Sequence, residues 1–91
     1  MNKNFKLGKI IITEKVCEMF WYSTISNALA KYLRCDWGIV NESDASKNDY
    51  AVKIGAGKIF ACYRTFTGRK FWIVTEHNKT TVSLAGEEIA K

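Results

Sequence analysis

Few residues in this chain have types and spacings suited to chemistry, and most of them lack the second group that a reaction needs. Asp36, ahead of Trp37 and Gly38, has the character of a general base. An Asp where a helix gives way to a loop ordinarily accepts local backbone N–H bonds, and that is the role expected of it. Glu76 and the sole histidine, His77, are adjacent, so on a strand they point to opposite faces. They could serve one proton only if the chain turns there, which Asn78 favours. No Gly-x-Ser-x-Gly is present, and Gly55-Ala56-Gly57-Lys58 lacks the spacing of a phosphate-binding loop and leads into a strand. Cys62 stands within an apolar run and reads as inert filler. No enzymatic activity and no cofactor are expected.

Cys17, Cys35 and Cys62 are odd in number and widely spaced, with no Cys-x-x-Cys. That pattern supports neither a disulfide framework nor a zinc site, so no metal is expected and the three read as buried or half-buried free thiols. What remains is a mixed basic and aromatic constellation in the last third. Arg64, Phe66, Arg69, Lys70, Trp72 and Lys79 are the expected binding residues, with Phe71 beside them. Such a set can anchor a protein interface, or stack bases and neutralise phosphates. The plainer alternative is a sheet core with a solvated basic rim.

The elements that must position these residues follow from apolar patterning. Lys58–Arg64 and Lys70–Glu76 flank Thr67-Gly68-Arg69 and predict a β-hairpin, which Thr80–Leu84 extends into a meander. Ile10-Ile11-Ile12 predicts a first strand within Phe5–Thr13. Thr13 can cap a short helix to about Phe20, and Ser23 or Thr24 a second one. Ile25, Leu29, Tyr32 and Leu33 form the inward stripe of that second helix, and Asn27, Lys31 and Arg34 face outward. Whether these are two helices or one bent helix stays open. Gly38 is expected to end the stretch, with Trp37 folded back on it as a structural residue. Ser43 can cap a third helix to about Ile54, with Ala45, Val52 and Tyr50 or Ala51 inward, and Gly55-Ala56-Gly57 stops it.

The order β-α-α-α-β-β-β predicts an α+β fold: an antiparallel sheet of three to four strands with helices packed on one face. Both faces of the hairpin carry bulky side chains, so the face away from the helices is expected to leave aromatics at the surface. The chain has 91 residues, 47% hydrophobic and 25% charged, which fits a single folded domain over 1–91. Its formal charge of +5 favours acidic partners, whether nucleic acid, a phosphorylated small molecule or an acidic protein face. The apolar run behind Lys3, Lys6 and Lys9 is too short for a secretory signal, and no stretch reaches transmembrane length. A cytoplasmic protein that does not enter membranes is expected.

Asp36-Trp37-Gly38, Asn48-Asp49 with Ala51, Gly57–Tyr63, Trp72–Glu76, Thr80-Thr81-Val82 and Glu87-Glu88, in that order, resemble a family of small bacterial proteins. The resemblance runs from about Leu7 to Ile89. Members are labelled plasmid-related or hypothetical and travel on plasmids, phages and other mobile elements. They typically read Thr-Glu-x-Asp-Arg-Ser before the Thr-Thr pair, whereas this chain has the shorter Thr75-Glu76-His77-Asn78-Lys79 without the Asp-Arg. The resemblance implies genomic company rather than a mechanism. Small accessory proteins of mobile elements are often inhibitors of host defence, anti-CRISPR proteins among them. It thus implies a non-enzymatic inhibitor of a host defence protein or ribonucleoprotein. A nucleic-acid-binding accessory protein and a protein that sequesters a phosphorylated signal nucleotide are the alternatives.

Overall fold

The structure, a computed structural model, describes residues 5–87; Lys3 and the Glu88–Ile89 end of the family resemblance lie outside them. The elements are β1 (Lys9–Ile12), α1 (Glu14–Met19), α2 (Tyr22–Leu33), α3 (Glu42–Ile54), β2 (Ile59–Arg64), β3 (Lys70–Glu76) and β4 (Lys79–Leu84). The class is α+β in the expected element order. The sheet order is β1-β4-β3-β2. β2, β3 and β4 form the antiparallel meander, but β1 runs parallel to β4, with Lys9 opposite Lys79 and Ile12 opposite Val82. The sheet is therefore mixed, which corrects the antiparallel expectation. The outer edge of β2 is already occupied, so β4 offers the open edge. Running parallel there also delivers the chain to α1, since Thr13 N–H continues the ladder to the Val82 carbonyl at 3.0 Å.

Several boundaries shift for local reasons. β1 starts at Lys9 and not near Phe5, because Gly8 has φ +66 and a Cβ there would overlap the Asn78 carbonyl. Thr13 caps α1, its Oγ1 accepting from Val16 N–H at 3.4 Å. α1 and α2 are separate helices, broken by extended backbone at Phe20 and Trp21. Neither Ser23 nor Thr24 caps α2. Trp21 occupies its N-cap and makes no side-chain cap bond. α2 ends with Cys35 at φ 65, where the Cys35 and Asp36 N–H groups bond back to Tyr32 and Lys31, so this left-handed stop does not wait for Gly38. Asn41 caps α3 in place of Ser43, its Oδ1 accepting from Asp44 N–H at 2.7 Å.

One core joins the helices to one sheet face. Val16, Ile25, Ala28, Tyr32 and Ala51 pack with Ile59, Ala61, Tyr63, Phe71, Ile73 and Val82. The buried stripe of α2 is Ile25, Ala28 and Tyr32; Leu29 is half-buried against the core, and Leu33 is 39% exposed, which corrects its place in the core. The small Ala28 lets α2 approach the sheet, and the helix turns Tyr32 inward. In α3, Asn48 and Ala51 are buried while Tyr50 points to solvent.

A directed chain of hydroxyls crosses that core. Thr80 Oγ1 lies 2.6 Å from the Leu7 carbonyl, which can only accept, so Thr80 donates to it. Thr75 Oγ1, at 2.7 Å, must then donate to Thr80, and Tyr32 Oη, at 2.6 Å, must donate to Thr75. α2, β3, β4 and the segment entering β1 are thereby tied through one proton order. Burial pushes the Tyr32 hydroxyl well above the ordinary tyrosine range. Tyr63 is raised as well, first by burial and then by the nearby Asp36 carboxylate.

Leu29→Ala should lower stability by about 2 kcal/mol and Leu33→Ala by less than about 0.5 kcal/mol in urea melts. Equal losses would contradict the orientation of α2.

Stability should also fall in alkali. Unfolded tyrosines ionise near pH ~10 while folded Tyr32 and Tyr63 hold their protons higher, so the unfolded state releases protons first. Their contribution is complete below about pH 10 and is lost above it, with a slope of up to about 1.4 kcal/mol per pH unit for each tyrosine. Tyr32→Phe should remove one such share of the slope. A Tyr32→Phe profile parallel to the parent's between pH ~10 and ~11.5 would refute this.

Candidate binding surface at the hairpin

The Asp36-Trp37-Gly38 and Asn48-Asp49 segments build the border of the sheet. Asn48, 2% exposed, donates through Nδ2 to the Phe60 carbonyl at 2.7 Å and accepts from Phe60 N–H at 3.0 Å, so α3 satisfies both outward backbone groups of that edge residue. Gly38 bridges Cys62 in parallel, with Cys62 N–H bonded to the Trp37 carbonyl and Ile39 N–H to the Cys62 carbonyl. At φ +74, a Cβ on Gly38 would overlap the Cys62 carbonyl and press on the Tyr63 ring. Trp37 is buried, edge-on to Tyr32 at 5.4 Å, and its Nε1 donates to Asp49 Oδ1 at 3.0 Å. Asp36 has the local role: its Oδ1 accepts from Gly38 N–H at 3.2 Å, and its carbonyl accepts from the Tyr63 hydroxyl at 2.7 Å.

The hairpin end is held from within. Thr65 N–H bonds the Arg69 carbonyl at 2.9 Å, Gly68 N–H bonds the Thr65 carbonyl at 2.9 Å, and Thr65 Oγ1 accepts from Arg69 N–H at 3.1 Å. Phe66 stands on this tip at 102% exposure. The tip is thus ordered by its own hydrogen bonds while its aromatic side chain touches nothing that would anchor it. Arg64 and Lys70 face each other across the last rung, and Arg69 is exposed beside them. Among the described residues the one ion pair is His77 with Glu76, at 3.8 Å, so these three cations have no carboxylate partner there.

Of the six sequence-predicted residues, Arg64, Phe66, Arg69 and Lys70 meet at this end. Trp72 lies mid-sheet on the face away from the helices, half-buried, with its ring 5.4 Å from that of Phe60. Lys79 lies at the opposite end of that face, beyond Glu76, six residues along β3 from Lys70, or about 20 Å. The six are therefore not one patch. His77 and Asn78, with φ 54 and 61, form the two-residue turn between β3 and β4, and His77 is exposed.

Two residues belong with the tip that the sequence reading passed over. Phe20 packs on Phe71 with ring centroids 5.1 Å apart, which pins the α1–α2 junction above the hairpin end. The next two residues, Trp21 and Tyr22, are 82% and 80% exposed. A Trp at a helix N-cap neither caps nor packs, and Ser, Thr, Asn or Asp there would favour the helix by about 1 kcal/mol. The signal was present in the run Phe20-Trp21-Tyr22, since a junction can turn only some of three successive aromatics inward.

Cys17 is exposed, Cys35 half-buried and Cys62 buried, so the expectation of sheltered thiols fails at Cys17, which sits on the solvent side of α1. No cluster of His, Cys, Asp or Glu among the described residues could hold a metal ion, and no described helix is long and apolar enough to cross a membrane. A cleft of about 630 Å³ at the far end of the sheet is lined by Lys6, Lys58, Thr75, Glu76 and His77 among others. Thr75 is committed to the hydroxyl chain, and two lysines with one carboxylate define no phosphate cradle. No protein-family model, curated protein or solved structure matches this chain.

Asn48→Ala would leave the Phe60 N–H and C=O without their partner and should destabilise by about 1–3 kcal/mol. Trp37→Ala should cost about 3–5 kcal/mol. Both should leave the affinity of the folded protein for anything bound at the hairpin tip unchanged. A variant of parental stability that has lost a tip-bound partner would give these residues a contact role instead.

Proposed function

We propose that this protein is a non-enzymatic accessory protein of a phage or plasmid that inhibits a host defence protein or ribonucleoprotein by docking its hairpin end on it. The observation that carries the reading is Phe66, wholly exposed on an internally hydrogen-bonded tip, with Arg64 and Arg69 beside it and Trp21 and Tyr22 at the same end. Trp, Tyr and Arg are the residues that anchor protein interfaces, and an anchor on an ordered tip loses little entropy when it docks. The unpaired cations suit an acidic rim on the partner. Three carboxylates are engaged structurally, Asp36 and Asp49 as described and Glu87 by Thr13 Oγ1 and Leu84 N–H, which leaves the exposed Glu76–His77 pair as the remaining acid–base candidate. The family resemblance supplies the genomic setting.

The test is capture of partners from bacterial lysate on immobilised protein, with and without nuclease, followed by kinetics on the captured protein. Phe66→Ala should speed dissociation by about 30-fold, the size of a 2 kcal/mol anchor. Arg69→Glu should mainly slow association. Parental binding by a Trp21→Ala, Phe66→Ala, Arg69→Ala triple variant would remove the hairpin end from the function.

A further inference from the structure

The face of the sheet turned away from the helices carries half-buried apolar side chains at its centre and mostly cations at its two ends. Its central rows run Ile11, Thr81, Val74, Phe60 and then Ser83, Trp72, Cys62. Trp72 stands between Ser83 and Cys62, both small and both buried, and meets Phe60 edge-on. At one end of these rows Lys9 faces Lys79, and at the other Arg64 faces Lys70. Like charges directly opposite each other destabilise a sheet, and here two such pairs bracket one aromatic pair. Lys58, in phase with Phe60, adds a further cation at the Lys79 end. Glu76, the one carboxylate in the described strands of this face, stands directly opposite Lys79 and offsets part of the repulsion there, whereas the Arg64/Lys70 row holds no carboxylate.

We infer that this face binds single-stranded nucleic acid, with bases against Trp72 and Phe60 and phosphates on the Lys9/Lys79 and Arg64/Lys70 pairs. A partner carrying repeated negative charge neutralises the Arg64/Lys70 pair at one end and the cations in excess of Glu76 at the other. The cation rows lie about 20 Å apart along the strands, so the ligand must be extended and anionic along its length. An unpaired strand meets that requirement and also presents free ring faces between its phosphates. A duplex hides its bases, and aromatics at the centre of a nearly flat face would have nothing to stack on. A second copy of the chain laid face to face would set cations against cations. The proposal uses the open sheet face and not Phe66 or Trp21, and it shares Arg64 with the docking reading above.

The experiment is fluorescence anisotropy of a short labelled oligouridylate and its DNA counterpart, titrated with the whole protein across a salt series. A duplex of equal charge and polyglutamate serve as competitors. Single strands should bind tighter than the duplex, and log K should fall with log salt by about 0.7 for each phosphate neutralised. Lys9→Gln with Lys79→Gln should flatten that slope by about 1.4. Trp72→Leu keeps an apolar cover over Cys62 and Ser83 and should weaken binding by about 5- to 150-fold, with Trp72→Phe restoring most of it. Should Trp72→Leu fail to fold, Trp72→Phe and the double lysine variant, checked by thermal melts, carry the test. Phe66→Ala should bind like the parent. Equal affinity for duplex and single strand, displacement by polyglutamate at equal charge, or a folded Trp72→Leu variant with parental affinity would each overturn the proposal.

Discussion

Asn48 fixes the sheet by closing one of its edges. A buried amide that both donates to and accepts from Phe60 does the work of a neighbouring strand, and the Gly38 bridge to Cys62 extends the seal by one rung. An open edge invites pairing with other chains, so this border is also a guard against aggregation. With β2 closed, an added strand finds its place on β4, where β1 lies. The place of β1 beside β4, and with it that of α1, is consistent with that closure.

The interior is specified by polar as well as apolar groups. Tyr32, Thr75 and Thr80 are buried hydroxyls that would each be unfavourable alone, yet their order of donation leaves none without a partner. Because the chain ends on the Leu7 carbonyl, it fixes the path of the backbone before β1, and Gly8 then permits the close approach to the β3–β4 turn. Apolar packing alone would tolerate a slip of α2 along the sheet. The hydroxyl chain does not.

The fold uses one sheet face for its main core and packs only its own side chains on the other, so the surface features that the core does not explain gather in two places. One is the hairpin end, where exposed aromatics sit on ordered backbone. The other is the open face, where cations oppose each other across strands. Two of the segments that carry the family resemblance, Asp36-Trp37-Gly38 and Asn48-Asp49, are occupied in building the sheet border, while Gly57–Tyr63, Trp72–Glu76 and Thr80-Thr81-Val82 run through the sheet and contribute Phe60, Trp72 and Thr81 to its open face.

Local rules were enough for the meander, the turn chemistry at Gly68 and Asn78, the helical segments, the cap at Thr13 and the local role of Asp36, because each depends on neighbours within a few residues, whereas the break between α1 and α2 was not legible. That Phe60 and Trp72 share the outer sheet face was legible too, since a strand's period of two separates its faces, although they stand half-buried there and not exposed. The direction of β1 was not legible, because an edge strand carries the same apolar pattern whichever way it runs. The exposure of Leu33 depended on where α2 meets the sheet, and the choice of Asn41 over Ser43 on where α3 begins. Trp21 and Tyr22 joined the hairpin end only because Phe20 reaches Phe71 across more than half the chain. The like-charged pairs Lys9/Lys79 and Arg64/Lys70 exist only in a register. Sequence determines what each segment can be; which segments meet is a balance of burial and hydrogen-bond satisfaction over the whole chain, and only the tertiary structure settles it.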